Sequence, residues 1–324
     1  MFEGNYGKSA EEIFLTGKQH LWGIVLAGGE GNRLKDLVKK QYGYHRPKQF
    51  CTFIGTRSLI RHTLDRALKL IPQEHLLTVI TKHQYKYAVE EIGDPLSKMT
   101  ITQPCARETS AGILLPMLKI NQEDPEAIVT IFPSDHFINE EKRFMDYVKE
   151  ANLFVVNNPD SIVMLGVKPD RIESGYGWIE PGTTIIYEDG KIIKRVKRFW
   201  EKPNPEKAEI LWYNGCLWNT FVLIGRSLTF IKQMHDCIPE VFNAFEPIRK
   251  ELGSSLEKIT LEKIFKFIPA LNFSRFVLEM IPEHLCVMEV SDIYWSDWGD
   301  EERIRNDLEK LSLIMVDSIA SEID

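Results

Sequence analysis

The chain has 324 residues, 44% of them hydrophobic and 27% charged, the balance of a soluble globular protein with a full core. Forty Lys and Arg against forty-seven Asp and Glu leave a net charge of −7, which argues against a nucleic-acid partner, because phosphate backbones need a concentrated positive field. No apolar run reaches the ~18 residues of a membrane helix. The start of the chain carries Glu3, Glu11 and Glu12 without a basic-then-apolar segment, so no membrane span or signal peptide is expected and a cytoplasmic location is.

In chain order, residues 1–21 read as an N-terminal extension of helical pattern, with Ser9 and Glu12 at capping-box spacing. A single continuous domain is expected over residues 22–324. Trp22–Ala27, Leu76–Thr81, Met99–Gln103, Ala127–Phe132 and Ser161–Val167 are short, β-branched apolar runs that read as buried strands. Between them, Ser58–Ile71 and Glu140–Val156 place their apolar residues on single helical stripes. Such alternation predicts an α/β fold around a doubly wound, mainly parallel sheet.

The second half is more irregular and reads as a lobe inserted into that sheet. Gly175–Tyr187, with Pro181-Gly182 in its middle, looks like a hairpin. Strands are expected over Lys191–Phe199 and Trp218–Ile224, helical segments through Phe267, and a last helix over Asp300–Val316. Lys194, Arg195, Lys197 and Arg198 read as a solvated strand face. Five scattered cysteines without a CxxC pair suit reduced, partly buried thiols, and eight dispersed histidines show no metal-binding spacing.

The strongest local signal is Leu26-Ala27-Gly28-Gly29-Glu30-Gly31-Asn32-Arg33-Leu34, directly after the first strand. Glycines at 28, 29 and 31 let backbone N–H groups approach an anion, and Arg33 adds a guanidinium suited to phosphate oxygens. The loop lacks the Gly-Lys-Ser/Thr ending of a Walker loop, and Leu34 stands where a dinucleotide fingerprint needs its third glycine. Arg46-Pro47-Lys48-Gln49-Phe50 follows, with proline presetting the backbone that presents the Lys48 ammonium. Asp135 sits just past Ala127–Phe132, at the sheet edge where open α/β folds bind ligands, and Asp297 lies between Trp295 and Trp298. In Glu201-Lys202 a carboxylate suited to sugar hydroxyls adjoins an ammonium suited to a phosphate.

GGEGNRL followed by RPKQF is similar to the signature of the sugar-1-phosphate nucleotidyltransferases, most closely that of the mannose-1-phosphate guanylyltransferases. Further matching segments follow in order: Gln103-Pro104 through Arg107-Glu108-Thr109, Pro133-Ser134-Asp135-His136, Gly175–Ile179, Glu201-Lys202-Pro203, Trp218-Asn219-Thr220 and Trp295–Gly299. The resemblance implies a Rossmann-like fold of the nucleotide-diphospho-sugar transferase type, here without a C-terminal β-helix. It implies transfer of a nucleotidyl group from GTP to mannose 1-phosphate, giving GDP-mannose and pyrophosphate. By the same resemblance Asp135 and Asp297 meet on one Mg2+, and Arg33, Lys48 and Lys202 join them as catalytic residues. Ala27, Gly28, Gly29, Gly31, Gln103 and Thr109 then bind the nucleotide with Arg33 and Lys48. Gly177, Glu201, Lys202 and Asn219 bind the sugar phosphate, His136 is a packed neighbour and not a proton carrier, and a homodimer stays open. Alternatives are another nucleotide and sugar pair, a silent nucleotide-sugar sensor, or a glycosyltransferase; the last commonly uses a DxD run where this chain has Ser134-Asp135-His136.

Overall fold

The computed structural model describes residues 18–92, 99–187 and 191–310. The Ser9–Glu12 capping box, most of the expected extension and the end of the last helix lie outside the described residues. Strands β1 (Leu21–Leu26), β2 (Leu76–Thr81), β3 (Thr100–Gln103) and β4 (Ile128–Pro133) form a parallel block in the order β3-β2-β1-β4. All of β2 and β4 and nearly all of β1 are buried. Both faces of these strands are covered, which is why their sequences run apolar instead of alternating.

Successive β1 side chains feed opposite cores, as the two-residue strand period requires. Trp22 and Ile24 pack with Leu114 and Met117 of the helix Glu108–Glu123 and with Phe230, Phe245 and Phe265. Leu21 and Val25 join Ile60 and Leu64 of the helix Leu59–Ala67, and Phe144 and Val148 of the helix Glu141–Asn157. A third, smaller core joins Leu34, Val38, Cys51 and Leu59 to Trp298 and Ile304.

The doubly wound parallel expectation holds for this block, and beyond it the sheet is mixed. Strands β6 (Ile162–Val167), β7 (Gly177–Tyr187), β8 (Lys191–Glu201), β9 (Leu217–Arg226) and β10 (Leu285–Val290) complete nine strands in the order β3-β2-β1-β4-β9-β6-β10-β8-β7. β9 enters antiparallel between β4 and β6, while β6 and β10 are parallel. The far edge curls back so that β7 also pairs with β9 at Trp178 and Trp218. A separate two-stranded sheet joins β5 (Phe137–Ile138) to β11 (Trp295–Ser296).

The expected hairpin at Gly175–Tyr187 is instead one long strand, β7, whose partner is β8. Pro181-Gly182 interrupts the register without reversing the chain. Proline removes a ladder donor, and a Cβ at Gly182 would meet the Arg195 carbonyl oxygen at 3.1 Å, so the pair makes an irregularity within the strand. The basic residues on β8 are a solvated face: Lys197 pairs with Glu180 at 2.6 Å, Lys194 with Glu289 at 3.7 Å, and Arg198 lies over Trp200. None of the described helices is long and apolar enough to cross a membrane.

β1 lies between β2 and β4, so the connections leave its two sides in opposite directions. That is the switch point at which open α/β sheets bind ligands. Leu26 and Pro133 are register partners at the carboxyl ends of β1 and β4, and the glycine loop and Ser134-Asp135 begin there.

Beneath this edge Arg66 is 2% exposed, with Nη1 3.5 Å from Glu141 Oε1 and Nη2 donating to Thr63 Oγ1 at 3.1 Å. Burial would raise the Glu141 pKa, but His62, Lys69 and the Arg66 charge overcome it and lower it from 4.5 to about 2. Glu141→Gln should therefore strand a buried guanidinium and cost about 3–5 kcal/mol in urea unfolding at pH 7. Since the folded-state pKa is depressed, the stabilisation is complete above about pH 4.5 and disappears as pH falls towards 2, so variant and parent should converge in acid. An unchanged urea midpoint at pH 7 would show that Glu141 is not the counter-charge.

Candidate active site

A cavity of about 620 Å3 opens over the carboxyl ends of β1 and β4. Gly28, Gly29, Gly31 and Arg33 form one wall. Gln49 Nε2 donates to the carbonyl oxygens of Ala27 at 2.5 Å and Gly29 at 2.9 Å, and Gln84 Nε2 donates to Gly29 at 2.8 Å. A trans peptide points its N–H opposite its carbonyl, so fastening the Gly29 oxygen on the protein side turns the Glu30 N–H the other way. Gly31 has φ +62°, and a Cβ on it would lie 2.8 Å from the Lys48 backbone nitrogen. The loop and the RPKQF segment thus touch at a point only glycine allows.

Lys48 is 5% exposed. Its ammonium donates to Asp135 Oδ2 at 3.1 Å and to the Asp297 carbonyl oxygen. The Asp297 carboxylate is gripped on Oδ1 by the Tyr176 hydroxyl at 2.7 Å, the Gly299 N–H at 2.9 Å and the Arg303 guanidinium. Arg303 also meets Glu173 at 2.6 Å and lies 4.8 Å from the centre of the Tyr176 ring. Burial alone would raise the Asp297 pKa, but the charges of Lys48 and Arg303, with the Tyr176 hydrogen bond, hold it at about 2. The Asp135 carboxyl is likewise lowered, its burial overcome chiefly by Lys48. Both groups are carboxylates at neutral pH. Among the described residues Asp135 Oδ1 and Asp297 Oδ2 accept no hydrogen bond; His136 Nε2 lies 3.8 Å from the first and Arg33 Nη2 3.8 Å from the second.

At the other end, Gly177 and Glu201 are register partners across β7 and β8, and the Trp178–Trp218 pairing brings Asn219 of β9 alongside. A Cβ on Gly177 would lie 2.8 Å from Phe199 Cζ and 3.2 Å from Glu201 Oε2, so glycine leaves this wall open. Burial, then the neighbouring Glu279 charge, raise the Glu201 pKa against the opposing Lys202. Lys202 adopts φ +50°, its N–H donates to the Tyr176 carbonyl at 3.1 Å, and its ammonium is 3.8 Å from Glu201. His136 packs edge-on against Trp295, and burial lowers its pKa.

Thirteen of the fourteen residues expected from the sequence line this one cavity: Gly28, Gly29, Gly31, Arg33, Lys48, Gln103, Thr109, Asp135, Gly177, Glu201, Lys202, Asn219 and Asp297. Ala27 is not part of that lining: it is fully buried, its N–H donates to the Val79 oxygen and its own oxygen accepts from Gln49. Thr109 lines the cavity, yet its Oγ1 accepts from the Phe273 N–H at 2.7 Å and so also fastens the neighbouring loop.

The family model described as nucleotidyl transferase matches residues 22–311. The chain belongs to the nucleotidyl transferase family. It is 33% identical over 288 residues to mannose-1-phosphate guanylyltransferase 2 of Escherichia coli O157:H7, a match covering 85% of this chain and 57% of that one. A mannose-1-phosphate guanylyltransferase of E. coli K12 is 29% identical over 286 residues, covering 86% and 58%. The chain therefore spans somewhat over half the length of these curated relatives. Among solved structures, one described as a mannose-1-phosphate geranyltransferase from Thermus thermophilus superposes with TM-score 0.69 at 24% identity, covering 86% of this chain and 76% of that one. One described as a mannose-6-phosphate isomerase from Helicobacter pylori gives 0.65 at 20% identity, covering 86% and 99%. At these identities the structural likeness speaks for the fold.

In this nucleotidyl transferase several site residues escaped the sequence reading. Gln49 lay inside a recognised motif without an assigned task, and Arg303 sits six residues beyond Asp297 on the helix that follows it. Gln84 and Glu173 carry no local signal, because their partners are remote in sequence. Gly31→Ala should strain the loop by about 1–3 kcal/mol and push on Lys48. The expected readout is a lower Tm together with a smaller Tm rise on adding nucleoside triphosphate. A full ligand-induced rise would show that the loop does not hold the phosphates.

Proposed function

We propose that the protein is a Mg2+-dependent mannose-1-phosphate guanylyltransferase, making GDP-mannose and pyrophosphate from GTP and mannose 1-phosphate. The observation that carries this reading is the meeting of Lys48, Asp135 and Asp297 between a glycine loop and the Glu201-Lys202 pair. The names of the relatives point to the same substrates. Composition supports small-molecule substrates and a cytoplasmic setting, and residues from 22 onward are read as one catalytic unit.

In this reading the loop N–H groups, Arg33 and Lys48 hold the triphosphate. Lys202 holds the sugar phosphate, while Glu201, Gly177 and Asn219 face the sugar ring. A phosphate oxygen of the sugar attacks the α-phosphorus, the bond from that phosphorus to the bridging oxygen of the β-phosphate breaks, and pyrophosphate leaves in line. The attacking oxygen is already anionic at neutral pH, so no general base is needed and His136 is not called upon. Positioning and charge neutralisation supply the rate.

The donor set suits a hard cation, because each of two ionised carboxylates keeps one oxygen without a hydrogen bond. Asp135 and Asp297 would hold Mg2+, which when bound neutralises phosphate charge. Among the described residues no cluster of three His, Cys, Asp or Glu side chains forms a cage, so substrate oxygens and water would complete its shell.

The first experiment is pyrophosphate release with Mg2+, scanning GTP, ATP, UTP and dTTP against mannose and glucose 1-phosphates. A clear optimum for GTP with mannose 1-phosphate is expected. Another optimum would overturn the base or the sugar, and silence from folded, nucleotide-binding protein would favour a sensor. Asp135→Asn and Asp297→Asn should each lower kcat at least about a hundredfold in protein that circular dichroism shows to be folded, with a lower Tm because each removes the carboxylate of a buried cation; full turnover in either would exclude shared metal binding. Glu201→Gln should raise KM for the sugar phosphate about tenfold or more and leave that for the nucleotide nearly unchanged. The opposite split would reverse the assignment of the two ends.

A further inference from the structure

Glu108 occupies left-handed backbone, with φ +56°, a conformation unfavourable for a residue bearing a Cβ. Its neighbours hold it there. The Arg107 guanidinium donates to the carbonyl oxygens of Phe265 at 2.8 Å and Lys266 at 3.1 Å. Thr109 Oγ1 accepts from Phe273 N–H at 2.7 Å, and Ser110 N–H donates to the Leu271 oxygen at 3.1 Å. The residues on both sides are thus fastened to the segment 265–273. Glu108 itself is exposed on the cavity, and among the described residues its carboxylate has no hydrogen bond or ion pair.

A second observation lies at the same end of the cavity. Gln103 is 3% exposed, and among the described residues its Nε2 has no hydrogen-bond partner. Gly28 and Gly112 flank this amide: a Cβ on Gly28 would stand 3.9 Å from Oε1, and one on Gly112 3.9 Å from Nε2. Gly112 is four residues beyond Glu108 on the helix Glu108–Glu123, and Gly28, Gln103, Glu108 and Gly112 all line the cavity. A strained, unpaired carboxylate and a buried, unpaired amide donor therefore line the same cavity, with Gly28 and Gly112 beside the amide.

We infer that Glu108 is the specificity-determining residue for the base and accepts hydrogen bonds from the Watson–Crick edge of guanine. This deepens the proposed guanylyltransferase reading and rests on it. Guanine presents N1–H and the 2-amino group as adjacent donors, which a carboxylate accepts as a pair. Its O6 is an acceptor for the Gln103 donor. Adenine would set the N1 lone pair against the carboxylate, so the same group rejects it. Gln103 alone, with one acceptor and one donor face, lacks that charge-based rejection.

The test compares GTP with ITP, which lacks the 2-amino group, in the parent protein and in Glu108→Gln and Glu108→Gly. Pyrophosphate release gives kcat/KM, and calorimetry gives the affinities of GDP and IDP. The parent should favour GTP over ITP about tenfold or more, as expected for a site that hydrogen-bonds the missing group. Glu108→Gln should lose most of that preference. Glu108→Gly, which suits positive φ, should raise Tm and still bring GTP and ITP to within about twofold. A parental GTP:ITP ratio in either variant would overturn the inference and leave Glu108 a backbone role. Parent protein that uses GTP without preferring it to ITP would overturn it as well. Parent protein that turns over a different nucleotide would instead overturn the guanylyltransferase reading itself.

Discussion

A single buried ammonium ties the active end of this molecule together. Lys48 leaves a proline-preset turn, touches the glycine loop through its backbone, and places its charge between Asp135 and the Asp297 carbonyl. Those partners come from the end of β4 and from just beyond β11, segments far apart in the chain. A cation this deeply buried is tolerable only with such partners, since an unpaired one would carry an uncompensated desolvation penalty of several kcal/mol, in order of magnitude.

The charges along the cavity divide by what surrounds them. At one end, cations hold Asp135 and Asp297 ionised, and among the described residues each keeps one oxygen without a hydrogen bond. At the other, burial and the Glu279 charge raise Glu201 despite the adjacent Lys202. Carboxylates of the same chemical type thus differ in their hold on a proton by environment alone.

Much of this was legible in the sequence where the cause is local. β2 spans Leu76–Thr81, the apolar run that announced it, because a strand covered on both faces needs no alternation. The glycine loop and Lys48 were legible as a spaced pair because the structure makes them touch. The entry of β9 between β4 and β6 was not, since the expected strand Trp218–Ile224 does not name its neighbours. Pro181-Gly182 misled for a related reason: those residues suit turns and in-strand irregularities alike, and only pairing with β8 decides between them. Nothing near Ala27 in sequence reveals that its backbone bonds to Val79 and Gln49. Gln84, Glu173 and Arg303 act on atoms tens to hundreds of residues away or around a turn, where sequence spacing is silent.

Arg303 also sets an order of events during synthesis. It lies on the helix over residues 301–310, and the small core beneath it joins Trp298 and Ile304 to Leu34, Val38, Cys51 and Leu59. The parallel block from β1 to β4 can gather its buried strands while the ribosome is still translating the second half. The carboxylate of Asp297 gains its grip, and the floor under the glycine loop its far side, only when residues near 303 have emerged. A nascent chain can therefore gather the parallel block first, while the end of the cavity around Lys48 and Asp297 is complete only after translation has run almost to the end of the described fold.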